Sequence, residues 1–222
     1  MFQTDYRKTL TIVATGPFAP ATFHPWWFAY FKLLGEGEIQ SIADNPSSIV
    51  TPEATIFKVA GFDIDVRTNR IQIGTSQENL FEPVRDLICG TLDVLEGTFI
   101  EEIGINWTLH YATPSEAAWH AAGDKLCPKT LWGEVWPKHA GMLNLQVELE
   151  RNDDFQGKVN IQFQPSKVLK HGVFSSINDH YQIKRGDEHV SAADAASFIR
   201  KQWGNSKEIA DRLFGDIYER TK

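Results

Sequence analysis

Two stretches in which apolar and polar residues alternate strictly, 143–149 and 159–164, stand out along the chain. Their apolar members are Leu143, Leu145, Val147, Leu149, Val159, Ile161 and Phe163. Alternation with a period of two places all the apolar side chains on one face of a strand. Between the stretches, the Asn-Asp-Asp run at 152–154 and Gly157 supply residues that tolerate turns. The pattern therefore predicts two strands joined by a loop, with one face buried.

The same alternation predicts the rest of a sheet. Further strands are expected at 9–15, 54–67, 70–74, 99–111 and 173–183, the last broken by a turn at Asn178-Asp179. Because the strands share one pattern, we expect a common set of apolar side chains to be buried under the helices. This set is Leu145, Val147, Ile161, Phe163, Ile105 and Trp107.

Apolar stripes and end signals predict helices between the strands. The first helix, 25–35, is apolar on nearly all sides and ends at Gly35, and residues 36–52 are expected to form a loop. A longer helix starts at 79–83 and ends at Gly97.

Two later helices are marked by serine caps. Ser115 is placed to cap a short helix that Gly123 ends, and Ser191 with Asp194 resembles a capping pair. The helix after Ser191 is expected to break and restart at 204–206, where Gly, Asn and Ser follow one another.

These elements predict one α+β domain over residues 1–222. We expect a mostly antiparallel sheet with helices packed on one face and a C-terminal helical segment, 191–222, that closes the core. Residues 113–139 interrupt the regular pattern as an irregular insertion. Long insertions between strands often serve as lids or contact surfaces.

Composition excludes several classes of protein. The net charge is −7 and the basic residues are scattered, which argues against a nucleic-acid partner because phosphates need a basic face. The longest apolar run, 26–31, is far short of a membrane span, and residues 1–8 lack a signal-peptide core. Two cysteines are too few for a disulfide framework. We therefore expect a cytoplasmic protein without membrane contact.

Catalytic signatures are missing from the sequence. There is no glycine-rich phosphate loop, no nucleophile elbow and no pair of histidines at metal-ligand spacing, so we expect no metal and no cofactor. His120 and Asp124 would be neighbours on a helix, as a tuned base or as a plain surface pair. The remaining candidates are His110, Asp179, His180 and Tyr181. A turn at 178–179 would either aim His180 and Tyr181 at a pocket or simply join two strands.

The polar side of the predicted sheet is rich in amides. Its candidate ligand or interface residues are Asn106, Asn144, Gln146, Asn160 and Gln162. Amides both donate and accept hydrogen bonds, so such a face can hold a polar ligand or pair with another subunit. The alternative is the solvent-facing side that antiparallel sheets commonly have.

Aromatic residues are numerous for one core, with seven tryptophans and fourteen phenylalanines. Trp26 and Trp27 lie in the helix that is apolar on nearly all sides, which a single sheet face cannot bury. Either the insertion, with Trp132 and Trp136, folds over this helix, or another chain does. We expect a homodimer that uses this helix or the amide-rich face.

The segment 104–181 resembles a family of uncharacterised, sporadically distributed bacterial proteins. The resemblance is carried by INWTLHYA at 105–112, WHAAGDKLCPKTLW at 119–132, the strands at 141–148 and 157–166, and HGVFSSINDHY at 171–181. It implies no activity, and it places the candidate residues of this segment within the shared part.

Two functions of different classes fit these features. The first is a non-catalytic binding or assembly subunit with a protein partner, such as an accessory protein of a bacterial multi-component or defence-type system. The alternative is a small-molecule enzyme, hydrolase-like, that uses histidines and aspartates of the 110–181 region.

Overall fold

A computed structural model describes residues 5–43, 48–135, 140–184 and 190–221. Nine strands of this described chain form one antiparallel main sheet in the order β2-β3-β4-β5-β1-β7-β10-β9-β8. The strands of the main sheet are β1 Tyr6–Thr15, β2 Ile49–Val50, β3 Ala54–Val59, β4 Phe62–Arg67, β5 Arg70–Thr75, β7 Glu102–Ala112, β8 Leu145–Glu150, β9 Gly157–Pro165 and β10 Gly172–Gln182. A small second sheet pairs β6 Phe99–Ile100 with β11 Val190–Ser191.

The helices pack on one face of the main sheet, as predicted. They are α1 Pro25–Tyr30, α2 Glu36–Ala43, α3 Phe81–Val94, α4 Glu116–Leu126, α5 Thr130–Val135 and α6 Ala192–Thr221. Helices α3 and α6 pack on each other and on the central strands, while α1 and α2 lie towards β3 and α4 towards the end of α6. The α+β fold with its C-terminal helix is thereby confirmed.

The core lies between this helical layer and the alternate residues of the strands. Trp107 of β7 is fully buried, stands opposite Leu10 and Ile177 on the neighbouring strands, and meets Phe81 and Trp203 of the helices edge-on or tilted. Its indole N–H donates to the Ser206 hydroxyl 3.2 Å away. One side chain thus joins the sheet to both central helices.

The predicted buried set is confirmed for four of its six members: Ile105, Trp107, Ile161 and Phe163. The other two belong to β8. Leu145 is half-buried and Val147 is 38% exposed. Both lie on the expected side of the sheet, since Leu145 stands opposite the buried Phe163 and Val147 opposite the buried Ile161. The prediction failed because β8 is an edge strand and the helical layer ends before reaching it.

Three strand predictions were wrong. Residues 99–111 form two strands in different sheets, β6 and β7. Residues 54–67 form two strands rather than one, because Ala60 and Gly61 adopt positive φ and turn the chain between β3 and β4. The expected turn at Asn178-Asp179 does not form, and β10 runs unbroken through it. Asp179 stays in the strand because its carboxylate finds buried partners on the core side.

Helix boundaries also differ from the expectation. Helix α1 ends at Tyr30 rather than at 35, and the region expected to be a loop contains α2 and β2. Helix α4 passes through Gly123 to Leu126, capped by Ser115, whose hydroxyl accepts from the Ala118 N–H.

The C-terminal helix is continuous where a break was expected at 204–206. Ser206 is fully buried and accepts the Trp107 hydrogen bond, so packing overrides the weak helix propensity of this stretch. The predicted cap is present: the Asp194 N–H donates to Ser191, and the Ser191 hydroxyl donates back to the Asp194 carboxylate.

The insertion is partly helical, since 113–139 contains α4 and α5. It leaves β7 at Ala112, at the end of the sheet opposite Thr15, from which the chain continues to α1. Trp132 is half-exposed, and Trp136 lies outside the described residues. In the part of the chain that the structure describes, no helix is long and apolar enough to cross a bilayer.

Candidate functional site

The face of the main sheet opposite the helices carries polar side chains. Helices α1 to α4 and α6 direct their buried residues at the other side, and the alternate residues facing away from them are half-buried or exposed on every long strand. We call this surface the open face. It corresponds to the polar side that the alternation predicts.

Amide side chains meet in register at the centre of the open face. Asn178 of β10 stands directly opposite Asn106 of β7 on one side and Asn160 of β9 on the other. In the next row, Gln162 stands opposite Gln146, and its amide donates to Asn144 at 2.9 Å. The structure thus brings all five predicted amide residues onto one surface. With Asn178 they form what we call the amide patch: Asn106, Asn144, Gln146, Asn160, Gln162 and Asn178.

Asn178 carries an unsatisfied polar atom. Its Oδ1 is buried and, within the described chain, has no hydrogen-bond partner. Beside it lies Gly104, where an added Cβ would stand 3.3 Å from Asn106 Nδ2 and 3.6 Å from Asn178 Oδ1. A buried polar group without a partner destabilises a fold by about 1–3 kcal/mol. Two other buried side-chain atoms of the described chain, Thr15 Oγ1 and Ser175 Oγ, also lack a partner.

The centre of the open face is free of charged side chains on β7, β9 and β10. The charges lie at its borders, where Glu102 faces His180 at 3.5 Å and Lys158 pairs with Glu148. On the far strands, Asp65 pairs with Arg67 at 2.6 Å. A depletion of charge at the centre, with charge at the rim, is typical of the core of a protein interface.

The histidine and acidic candidates on β7 and β10 do not converge. Asp179 and Tyr181 face the core and His180 faces the open side, where Glu102 is its neighbour. His110 also lies on the open face, with Nδ1 2.9 Å from the Ser166 hydroxyl. Along the strands it is six positions from His180, about 20 Å apart at the rise of a strand. Burial, with the charge of Arg7, lowers the pKa of His110.

His120 and Asp124 do not pair with each other, and each has a different partner. Both are exposed on α4. His120 lies 3.9 Å from Glu116, and Asp124 forms an ion pair with Lys129. No candidate histidine is therefore paired with a candidate aspartate, as a general base and its orienting carboxylate would be.

A buried ionic cluster was not predicted from the sequence. The guanidinium of Arg151 donates to Asp179 at 2.6 Å and to both oxygens of Asp153, and it lies 3.8 Å from the centre of the Tyr181 ring. The Tyr181 hydroxyl donates to Asp179 at 2.8 Å. Hydrogen bonds from Arg151 lower the pKa of Asp153, while burial raises that of Tyr181.

This cluster has a structural role. The Arg151 side chain is 3% exposed and Asp179 is fully buried, so a substrate has no access to either. Arg151 also donates to the main-chain oxygen of His180, which holds the β8–β9 loop against β10. A signal was present in the sequence, because Arg151 and Asp179 fall on apolar positions of the alternation and carry opposite charges.

Helix α1 buries few of its aromatic rings. Phe28 is fully buried against Phe57 of β3, whereas Trp26 is 47% exposed. Trp27 is partly buried, and its ring contacts Phe23, Phe28 and Phe31 at centroid distances of 4.9–5.1 Å. The helix is thus anchored by one face, and the described insertion lies at the other end of the sheet.

Among the described residues, no group of three His, Cys, Asp or Glu side chains is placed to hold a metal ion. The expectation of a metal-free protein stays a prediction for elemental analysis. No family model matches the chain, and no curated protein matches it either.

Proposed function

We propose that the protein is a non-catalytic binding or assembly subunit that presents the amide patch to a protein partner. The observation that carries this proposal is the in-register row Asn106, Asn178 and Asn160 at the charge-free centre of the open face. These side chains are half-buried on that face, so their accessible amide atoms can hydrogen-bond to a partner.

The chemistry of the patch favours a polar, uncharged contact surface on the partner. Each amide offers both donors and an acceptor, so neighbouring amides adapt to backbone or side-chain groups without a fixed charge. The border charges, such as Glu148 with Lys158, lie where solvent-exposed rim residues occur in interfaces.

The scattered catalytic candidates support the binding function over the hydrolase alternative. Of the six candidates, Asp179 and Tyr181 belong to the structural cluster, and His120 and Asp124 are exposed with separate partners. The two remaining histidines, His110 and His180, are far apart on the open face. An enzyme needs such groups within hydrogen-bonding reach of one substrate.

The proposal also covers the cellular location of the protein and the kind of system in which it acts. The amide patch lies within 104–181, the segment proposed to resemble the sporadic bacterial family. We propose a cytoplasmic accessory protein of a multi-component or defence-type system, whose partner is a protein rather than a nucleic acid. The net charge of −7 supports the exclusion of nucleic acid.

A capture experiment with charge-inserting variants tests the proposal. The tagged full chain is used as bait in a lysate of cells that produce it, in parallel with the double variant Asn160→Arg, Gln162→Arg. The added arginine side chains project from the patch. We expect the captured amount of a partner bound there to fall at least tenfold, because unpaired charge at the centre of an interface is destabilising.

The control is Gln72→Arg, which adds one arginine to the open face at β5, outside the patch, and is compared also with the single variant Gln162→Arg. It should retain the partner. A partner captured equally by wild type, double variant and control would show that the patch is not the binding surface. Circular dichroism confirms that each variant is folded.

A further inference from the structure

Strand β8 is an edge that is long enough to pair with another strand. It has six residues, pairs only with β9 in the described chain, and stands at the end of the main sheet. Its pairing with β9 is one-to-one from Leu145 to Glu150, without a bulge. The other edge is blunted, since β2 has two residues and Pro52 follows it. An edge strand presents unpaired main-chain N–H and C=O groups along its outer side.

The apolar face of β8 is only partly covered. Val147 and Leu149 are 38% and 37% exposed, although their partners Ile161 and Val159 on β9 are buried. Proline and lysine, which often protect edges, are absent from β8, and its charged residues Glu148 and Glu150 lie on the opposite side from Val147 and Leu149. Within the described residues, the strand therefore combines main-chain groups unpaired along its outer side with a row of exposed apolar side chains.

We propose that β8 pairs with β8 of a second copy of this chain, antiparallel and about a two-fold axis through Val147. The two main sheets then form one continuous sheet. This inference rests on β8 alone and is independent of the proposed function.

The sequence of β8 is self-complementary in this register. Val147 faces Val147 of the second copy, and Leu145 faces its Leu149. On the opposite side, Gln146 faces Glu148 and Asn144 faces Glu150, so every acid meets an amide. Apolar pairs that stand directly opposite each other on two strands are favourable, whereas pairs of like charge are unfavourable. This register contains no pair of like charge within 144–150.

Other registers are less favourable. An axis at Glu148 places two carboxylates directly opposite each other. An axis at Gln146 pairs only residues 145–147 of β8 with one another, whereas the axis at Val147 pairs residues 145–149. An isologous contact of this kind closes as a dimer. Because the axis is perpendicular to the sheet, both amide patches stay accessible on the same side.

Sedimentation of the full chain at micromolar concentration tests the dimer. We expect a dimer for wild type and a monomer for Val147→Lys, which places two like charges at the axis and weakens association by about 100-fold or more. The control is Val168→Lys, because Val168 is 51% exposed and lies outside β8. It should remain a dimer.

Disulfide cross-linking tests the register. In a Cys127→Ser background, where the remaining Cys89 is buried, Val147→Cys should form an intermolecular disulfide on mild oxidation. Directly opposed residues lie about 4.5–5.5 Å apart, within disulfide range. Gln146→Cys should not cross-link alone, because its copy is displaced by two positions. Mixed Leu145→Cys and Leu149→Cys proteins should cross-link to each other.

Three results would overturn the proposal: a wild-type monomer at micromolar concentration, a dimer that persists in folded Val147→Lys, or cross-linking by Gln146→Cys but not by Val147→Cys. A dimer that is lost on Trp26→Lys and kept on Val147→Lys would place the interface at α1 instead, which also contradicts it.

Discussion

Arg151→Ala is expected to destabilise the fold by about 3–5 kcal/mol, because it leaves the carboxylate of Asp179 buried without its ionic partner. The Tyr181 hydroxyl would remain as a donor to that carboxylate, which a single neutral hydrogen bond does not neutralise. Denaturant unfolding followed by circular dichroism measures the change.

Arg200→Ala is the matched control, since Arg200 forms an ion pair with Asp93 in which both side chains are nearly half exposed. Surface pairs contribute about 0–1 kcal/mol, so this change should be small. Adding Asp179→Asn to Arg151→Ala should give less destabilisation than the sum of the two single changes, because the orphaned charge is removed. Equal effects of Arg151→Ala and Arg200→Ala would contradict a structural role for the cluster.

The second large effect is expected at Trp107. Trp107→Ala removes a fully buried indole that packs on Phe81 and Trp203 and donates to Ser206. Loss of a large buried aromatic side chain typically destabilises a protein by about 3–5 kcal/mol, through lost burial and the cavity left behind. The same unfolding measurement applies, with the free energy of unfolding compared at one temperature.

Trp132→Ala is the matched control, because it removes the same type of side chain from α5, where Trp132 is half-exposed. A surface change of this kind should lie within about 0.5 kcal/mol of wild type. If the two tryptophan variants were equally stable, Trp107 would not join the sheet to the two central helices.

Period-two alternation predicted the sheet well because it reports which side chains face a core. It correctly placed the apolar positions of β7 and β9 on one buried face, with those of β8 on the same side of the sheet. It does not report where the helical layer ends, so Val147 was expected to be buried. Whether the apolar face of a strand is covered depends on which strand lies at the edge, and this is a property of the whole topology.

Two of the wrong predictions share a cause, namely that tertiary partners override local propensity. Asn178-Asp179 resembles a turn, yet Asp179 is held in β10 by Arg151 and Tyr181. Likewise, 204–206 resembles a helix break, yet Ser206 is held in α6 by Trp107. In both cases the deciding contact comes from a residue more than twenty positions away in the sequence.

Five of the six members of the amide patch were predicted from the sequence, but Asn178 and the geometry of the patch were not. The alternation places Asn106, Asn160 and Gln162 on the polar side of their strands. Only the strand order shows that Asn106 and Asn160 flank Asn178 in one row, and only the structure shows the unsatisfied Oδ1 above Gly104.

Cysteine labelling inside cells tests most directly whether the open face is an interaction surface. Gln162→Cys, in a Cys127→Ser background, places a thiol in the patch, and Gln72→Cys places one on the same face outside it. The native Cys89 is buried, and burial raises its thiol pKa to about 12, so it should not react. The labelling rate with a membrane-permeable maleimide is compared between purified protein and the cells that produce it.

We expect the thiol at position 162 to react much more slowly in cells than in purified protein, while the thiol at position 72 reacts at a similar rate in both. Dimerisation through β8 would not give this protection, because it leaves the open face uncovered. Equal labelling of position 162 in cells and in purified protein would contradict the proposal that the amide patch binds a partner.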